Sequence, residues 1–427
     1  PKPDFSMWKK TISSAVITLA LFLGLNLYIS TSLSTIIKEE AQKAVEKADP
    51  DITLQMGSVE SSPFRGNIDL IDVYYHRSST QGTVKLERFS LDLSYLDFLR
   101  LYFFDLQRGM SEITSLDFTA EGLQLSDMGS FSNLTTGSIQ CSYSGSLWQL
   151  LQLAANQKLP PGSAQLTLNT SNIRLHPTQF DTANKPISID RGSLDANYQG
   201  NFKLVTLKNF EISGPELTAR SDGRITFDTR SRAIHDITDV QLDISLEYQS
   251  QHEIPLTLAT DYGTITFESL DWSSQISTVD NSTFDLKSWQ SWGEKSTIEA
   301  HDISLGLSGN GQSTTSMVLQ TLLGSSTAIP LEQFRLETES DSETMDVQTL
   351  LFDHPSFDIN ASGHIKKKSS PAQSEFRDFT VKLSEMQPDF RNLVGNISQM
   401  LGVQFPSGSE SMSITLKGRL GKPGISQ

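Results

Sequence analysis

Val240-Gln241-Leu242-Asp243-Ile244-Ser245-Leu246-Glu247-Tyr248 alternates apolar and polar residues without a break. A side-chain period of two belongs to an extended strand with one dry and one wet face, because successive Cβ atoms point to opposite sides of a sheet. The same alternation recurs outward from this stretch in Gln165-Leu166-Thr167-Leu168-Asn169, Arg224-Ile225-Thr226-Phe227 and Ile303-Ser304-Leu305-Gly306-Leu307. It appears again in Phe379-Thr380-Val381-Lys382-Leu383 and Met412-Ser413-Ile414-Thr415-Leu416. Gly, Asn, Asp and Ser separate these runs at intervals of roughly eight to twelve residues, as in antiparallel meanders. Leu147–Ala155, Met317–Leu323 and Phe390–Leu401 change to three- and four-residue spacing, which predicts short helices lying on the apolar face.

Part of the chain repeats. A shift of 140 residues superposes Gly214-Pro215-Glu216-Leu217-Thr218-Ala219-Arg220-Ser221-Asp222-Gly223-Arg224-Ile225 on His354-Pro355-Ser356-Phe357-Asp358-Ile359-Asn360-Ala361-Ser362-Gly363-His364-Ile365. The same shift carries Ile189 onto Ile329, Leu194 onto Phe334, Leu207 onto Val347 and Phe210 onto Leu350; one residue less carries Asp239–Ile244 onto Asp378–Leu383. Stacked copies of a strand meander extend one sheet.

The N-terminal stretch reads differently. From Thr11 to Ile37 there is no charged residue, and the run is preceded by Trp8-Lys9-Lys10 and includes Leu19, Leu21, Phe22 and Leu23. Such a run is long enough to cross a hydrocarbon core of about 30 Å, and the flanking cations place the short N-terminus in the cytoplasm. It continues past the length of a signal-peptide core without a small-residue cleavage site, which predicts an uncleaved anchor. The residues after it, to Ala48, are good helix formers and end at Asp49-Pro50.

The expected fold is mainly β: an N-terminal transmembrane helix, then an elongated, curved antiparallel β-sheet forming a groove or half-barrel, with a few short helices and a duplicated meander. The segments read as a cytoplasmic tail (1–10), an anchor helix (11–37), a helical stalk (38–50) and β regions 51–145, 146–295 and 296–427.

Composition narrows the function. Lys+Arg number 34 against 50 Asp+Glu, a net charge of −16, which argues against a nucleic-acid partner, since that binding rests on cations displacing counterions from phosphate. The single cysteine, Cys141, can form neither an intrachain disulfide nor a thiolate zinc cluster and reads as a small buried hydrophobe. There is no Gly-x-Ser-x-Gly, Gly-Lys-Ser/Thr or His-Glu-x-x-His motif, and the seven histidines are dispersed. Gly306-Leu307-Ser308-Gly309-Asn310-Gly311 lacks a lysine and follows a short strand, so it reads as a hairpin loop. No enzyme, cofactor or metal is expected.

A sheet with one dry face must cover that face, and a few short helices are too few to do so. An open trough lined by Val, Leu, Ile and Phe is therefore expected, with Leu166, Leu168, Ile225, Phe227, Val240, Leu242, Ile244, Leu246, Phe379, Val381 and Leu383 as its lining. Such a trough suits an acyl-chain ligand, phospholipid first. Moving a chain of about sixteen carbons into water costs roughly 12 kcal/mol at about 0.8 kcal/mol per CH₂. The other reading is a closed sandwich that serves interaction alone.

Ser61–Val73, Val84–Arg100 and Ile113–Leu125 together resemble the opening of AsmA-like envelope proteins. The stretch from Ser144 through Pro161-Gly162-Ser163 to Ile212–Leu217 and Asp222–Ile225 is similar to the GspN family, the N component of type II secretion systems. The ending Ile414–Ile425 resembles the closing strand of both. The resemblance implies a single-pass inner-membrane protein with a periplasmic β-rich body and no catalysis. It also implies one of two roles: phospholipid transport between envelope membranes, or a non-catalytic accessory subunit among other envelope or secretion proteins.

Overall fold

A computed structural model of the chain describes residues 28, 30–32, 34–39, 42, 51–62, 65–78, 82–103, 112–126, 131–146, 162–177, 180–181, 186–227, 237–250, 256–260, 263–279, 290–307, 328–392 and 411–426. Trp8, Lys9, Lys10, Leu19, Leu21, Phe22 and Leu23 lie outside these residues. So do the helices expected at Leu147–Ala155 and Met317–Leu323, and most of the one at Phe390–Leu401. Among the described residues no helix is long and apolar enough to cross a membrane. The described fold is mainly β, antiparallel, with few helices, in two compact units, Pro1–Ile173 and Arg174–Gln427.

In the first unit, β1 (Ile52–Ser62), β2 (Asn67–Arg77), β3 (Thr83–Asp92), β4 (Ser115–Ser126) and β5 (Phe131–Ser144) pair in chain order, all antiparallel. β6 (Ala164–Pro177) follows beside β5, where Thr170 Oγ1 donates to the Ser138 carbonyl at 3.0 Å. Apolar residues line up across strands, as in Ile68, Leu91, Phe118 and Cys141, so Cys141 is buried and burial pushes its thiol up.

Two helices pack on this unit. α1 is described at residues 28, 30–32, 34–39 and 42. Its Ser30 and Ser34 both bond Ser61, Ser34 at 2.9 Å between the two hydroxyls, and Lys38 reaches the Gly57 carbonyl at 3.5 Å. Eight helical residues rise about 12 Å and four strand residues span about 13 Å, so α1 runs antiparallel along β1. Residues 30, 34 and 38 of the uncharged run and its border thus lie against the sheet. α2 (Tyr95–Phe103) is not among the helices that the sequence spacing predicts. It forms because Ser94 caps it: the Asp97 N–H donates to Ser94 Oγ at 3.1 Å and Ser94 Oγ donates back to the Asp97 carboxylate at 2.5 Å. Ile37 of α1 and Leu99 of α2 both pack on the core of Ile68, Leu93, Ile113, Leu116 and Tyr143.

In the second unit the sheet runs β8 (Ile187–Gln199), β9 (Leu204–Ser213), β10 (Leu217–Phe227), β11 (Ile237–Gln249), β14 (Ser269–Thr278), β15 (Trp292–Leu307) and β16 (Ala328–Ser340). It continues through β17 (Thr344–His354), β18 (Phe357–Lys366), β19 (Glu375–Ser384), β20 (Met412–Arg419) and β21 (Lys422–Ser426). The short β7 (Phe180–Asp181), β12 (Leu256–Thr260) and β13 (Gly263–Phe267) extend it beside β15, and the described pairings do not close a barrel. The β-region boundary expected at 295/296 falls inside β15. α3, described over 388–392, stacks Phe390 on Phe357 at 4.2 Å.

The repeat is visible in the strand bounds. Adding 140 to those of β8, β9 and β10 brings each within one residue of β16, β17 and β18. Within the hairpins the pairing recurs residue for residue: Phe210↔Ser221 and Leu207↔Gly223 become Leu350↔Ala361 and Val347↔Gly363, with the bulge between them kept. On either side the register differs. Leu194 pairs Phe210, but Phe334 pairs Phe352 rather than Leu350; Ala219 pairs Leu246, but Ile359 pairs Leu383, two residues short of the partner expected at the sequence shift.

Candidate functional site: the apolar face

The alternation of β11 is realised in the fold. Gln241, Asp243, Ser245 and Glu247 are exposed, while Leu242, Ile244 and Leu246 are half-buried and Val240 and Tyr248 buried. Cross-strand partners share a face, so the pairings extend Leu246 into a row. From Ile212 it passes through Ala219, Leu246, Trp272, Ile298, Leu336, Leu350, Ala361 and Val381 to Ile414, apolar on ten strands. At about 4.8 Å per strand the row is about 43 Å long. Beside it runs a second row through Leu217, Tyr248, Leu270, Ala300, Phe334, Phe352, Ile359, Leu383 and Met412.

Coverage of this face is uneven. Around Val347, Ala361, Ile365 and Phe379 the side chains form a packed core. Along β11, β14 and β15 most row members stay half-buried. A polar ribbon crosses there: Ser274, Ser296 and Thr338 stand in the row of Ile244 and are buried. The two serine hydroxyls are satisfied locally, since Ser274 Oγ donates to the Glu294 carboxylate at 2.9 Å and Trp272 Nε1 donates to Ser296 Oγ at 3.1 Å.

The opposite face carries charge. Arg220 pairs with Glu211 at 3.0 Å and Arg377 with Glu375 at 3.1 Å, exposed pairs worth little individually. Asp353 and Asp358 stand directly opposite each other across β17 and β18. Burial and the nearby carboxylates of Asp353, Glu385 and Glu332 push the Asp358 carboxyl up to about 6. At the far end of the strands the buried Lys367 Nζ donates to the Trp292 and Asp341 carbonyls at 2.8 and 2.7 Å; burial pulls it down to about 8.

The residues expected to line a trough are therefore placed as follows. Ile225 and Val240 are direct partners; Leu246 and Val381 share the long row, with Leu383 in the next. Leu242 and Ile244 lie on the same face of β11, and Phe227, Val240 and Phe379 are buried. Leu166 and Leu168 belong to β6 of the first unit, where Leu166 packs on the core beneath the helices. Sequence reasoning missed Trp272, Ile276, Ile298, Phe334 and Phe352. The signal was present on β14 as Leu270, Trp272 and Ile276, but Ser274 breaks the apolar pattern there.

Among the described residues no cluster of three or more His, Cys, Asp or Glu is arranged to hold a metal ion. No family model, curated protein or solved structure matches this chain.

Proposed function

We propose that this chain is a membrane-anchored envelope protein whose sheet holds a hydrophobic ligand, phospholipid foremost, on its apolar face and conveys it between envelope membranes. The body would be periplasmic and the anchor in the inner membrane. The supporting observation is the ten-strand apolar row, continuous in pairing and only half-buried along β11 and β14. An apolar face that its own packing leaves incompletely covered can take an apolar ligand, and a row crossing many strands offers an acyl chain a path on which each step exchanges one apolar contact for the next. The net charge of −16 and the ion-paired opposite face suit a body surrounded by water.

The test uses the full chain purified in mild detergent, with bound lipid extracted and quantified by mass spectrometry. Wild type is expected to carry phospholipid. Leu242→Asp and Leu246→Asp, both half-buried in the native fold, are expected to lower bound lipid at least about tenfold, equivalent to roughly 1.4 kcal/mol, with an unchanged circular dichroism spectrum. Lipid content unaffected by both substitutions refutes the reading. A lipid-free chain that brings down stoichiometric protein partners supports the accessory-subunit role instead.

A further inference from the structure

One end of the first unit gathers several features that its strands do not require. β1, β3 and β5 finish there and β2 and β4 begin there, because Ser62 pairs Asn67, Asn67 pairs Asp92, Asp92 pairs Asp117 and Ser115 pairs Ser144. α2 leaves β3 at this end. α1 has its N-terminal end here as well, since Ser30 bonds Ser61 while Lys38, further along the helix, reaches Gly57. The chain therefore enters the unit at this end.

What precedes α1 is uncharged from Thr11 to Leu27. With Ser30, Ser34 and Lys38 bonded to β1, the anchor of the proposed function would lie upstream of them. As a helix, 11–27 would be about 25 Å long, at the short end of what crosses a bilayer. The hydrocarbon would then stop where the unit begins. At that level two large apolar side chains are turned to the outside, Tyr28 and Leu96, each 64% exposed. Leu96 belongs to a helix of sequence Tyr-Leu-Asp-Phe-Leu-Arg-Leu-Tyr-Phe in which Leu99 packs on the core and Asp97 is buried and paired with Arg100 at 2.7 Å. A helix this rich in aromatic and aliphatic residues, with Leu96 turned away from the core, has the composition of a segment that lies in a membrane interface.

We propose that this end of the first unit stands on the bilayer, with Leu96 of α2 and Tyr28 of α1 inserted at the boundary between headgroups and acyl chains. The inference rests on the anchor reading and adds to it a second, non-spanning contact that fixes which end of the sheet faces the membrane.

The full chain is reconstituted into vesicles of phosphatidylethanolamine and phosphatidylglycerol with single cysteines carrying an environment-sensitive fluorophore: Leu96→Cys, Leu21→Cys in the run, and Ser78→Cys at the other end of β2. Wild type serves as the labelling blank, because Cys141 is buried. Expected is loss of fluorescence at 96 with a nitroxide-bearing lipid and none with aqueous iodide, the same protection from iodide at 21, and the reverse pattern at 78. A label protected at 21 but open to iodide at 96 overturns the proposal and leaves the anchor standing. A label open to iodide at 21 removes the anchor and the proposal with it. A label at 96 shielded from both quenchers points to a protein or a second copy on α2, and also overturns it.

Discussion

Gly363→Ala tests the repeated hairpin directly. Gly363 has φ +142°, a conformation that residues with a Cβ rarely adopt, and Gly223, its counterpart in the first copy, has φ +147°. A Cβ on Gly363 would sit 2.5 Å from the Asp378 carbonyl oxygen and 2.5 Å from the Phe379 Cα; on Gly223 it would sit 2.1 Å from the Gln241 oxygen and 2.9 Å from the Leu242 Cα. These neighbours are backbone atoms of the adjoining strand and cannot swing aside. The backbone strain alone costs of order 1–3 kcal/mol, and separating the strands enough to relieve the clash loses one or two ladder hydrogen bonds at about 1 kcal/mol each. Gly363→Ala is therefore expected to destabilise by about 3–5 kcal/mol, because displacing Phe379, only 4% exposed, also opens the core. Gly223→Ala should cost less, since Leu242 is half-buried and its strand can yield. Gly424→Ala is the control: its Cβ would meet nothing nearer than the Lys417 oxygen at 3.5 Å, an ordinary contact. Urea unfolding followed by circular dichroism, with hydrogen exchange resolved to β18–β19 and β10–β11, measures all three. Substitutions at 223 and 363 that fall within about 0.5 kcal/mol of the Gly424 control would refute the close-approach argument.

Two shifted titrations give further expectations. The Asp358 carboxyl is raised from 3.8 to about 6, so the folded state holds its proton more tightly and a penalty develops as pH rises through this window. Asp358→Asn should stabilise β17–β18 at pH 8, by about 1–2 kcal/mol once solvent screening is allowed for, and leave stability unchanged near pH 4; equal shifts in urea midpoint at the two pH values would exclude this origin. Lys367 has the opposite character, a base lowered from 10.5 to about 8, so its stabilising contribution grows as pH rises between those values and is lost as pH falls through 8. The cost of Lys367→Met should accordingly be about 2 kcal/mol greater at pH 10 than at pH 7, read from the same urea titrations; a pH-independent cost would mean that the ammonium is not desolvated.

Much of the sheet is legible because alternation is a local property. β11 reads correctly from nine of its thirteen residues, and the repeat is found by comparing the chain with itself. The phase changes are not legible in the same way. β16 buries Ile329 and Leu331 and then, past Glu332-Gln333, carries Phe334 and Leu336 in the two apolar rows. β19 shifts between Phe376 and Phe379 because Asp378 adopts φ 50°. Among the described residues, four of the six non-glycine residues with positive φ are Asp or Asn, the types that tolerate it best, but a chain with many acidic residues does not announce which of them will bend. α1 illustrates a different limit. Ser30 and Ser34 are compatible with a membrane helix, and their assignment to the sheet depends on Ser61, a partner some thirty positions away. α2 could have been found from Ser94-x-x-Asp97, a capping signal at the end of the β3 alternation.

The way the two copies differ bears on how such a face tolerates change. Their central hairpins match in register and bulge, yet each joins its neighbours with a displacement of two residues: Phe334 to Phe352 where Leu194 meets Phe210, and Ile359 to Leu383 where Ala219 meets Leu246. A slip of one would turn every apolar side chain of the following strand to water, whereas a slip of two returns each to the dry face with a new partner. At these positions the copies differ by the increment that keeps the apolar rows continuous; past the bulges, where Arg224 meets Gln241 but His364 meets Arg377, the displacement is three. Position 227, a buried phenylalanine at the end of β10, corresponds to Lys367, whose ammonium is buried and bonded to two carbonyls. That exchange lies beyond the rows and leaves them intact. Continuity of the dry surface, more than the identity of any one side chain, is what the two copies have in common, and it is also the one feature that a ligand moving along the sheet would need.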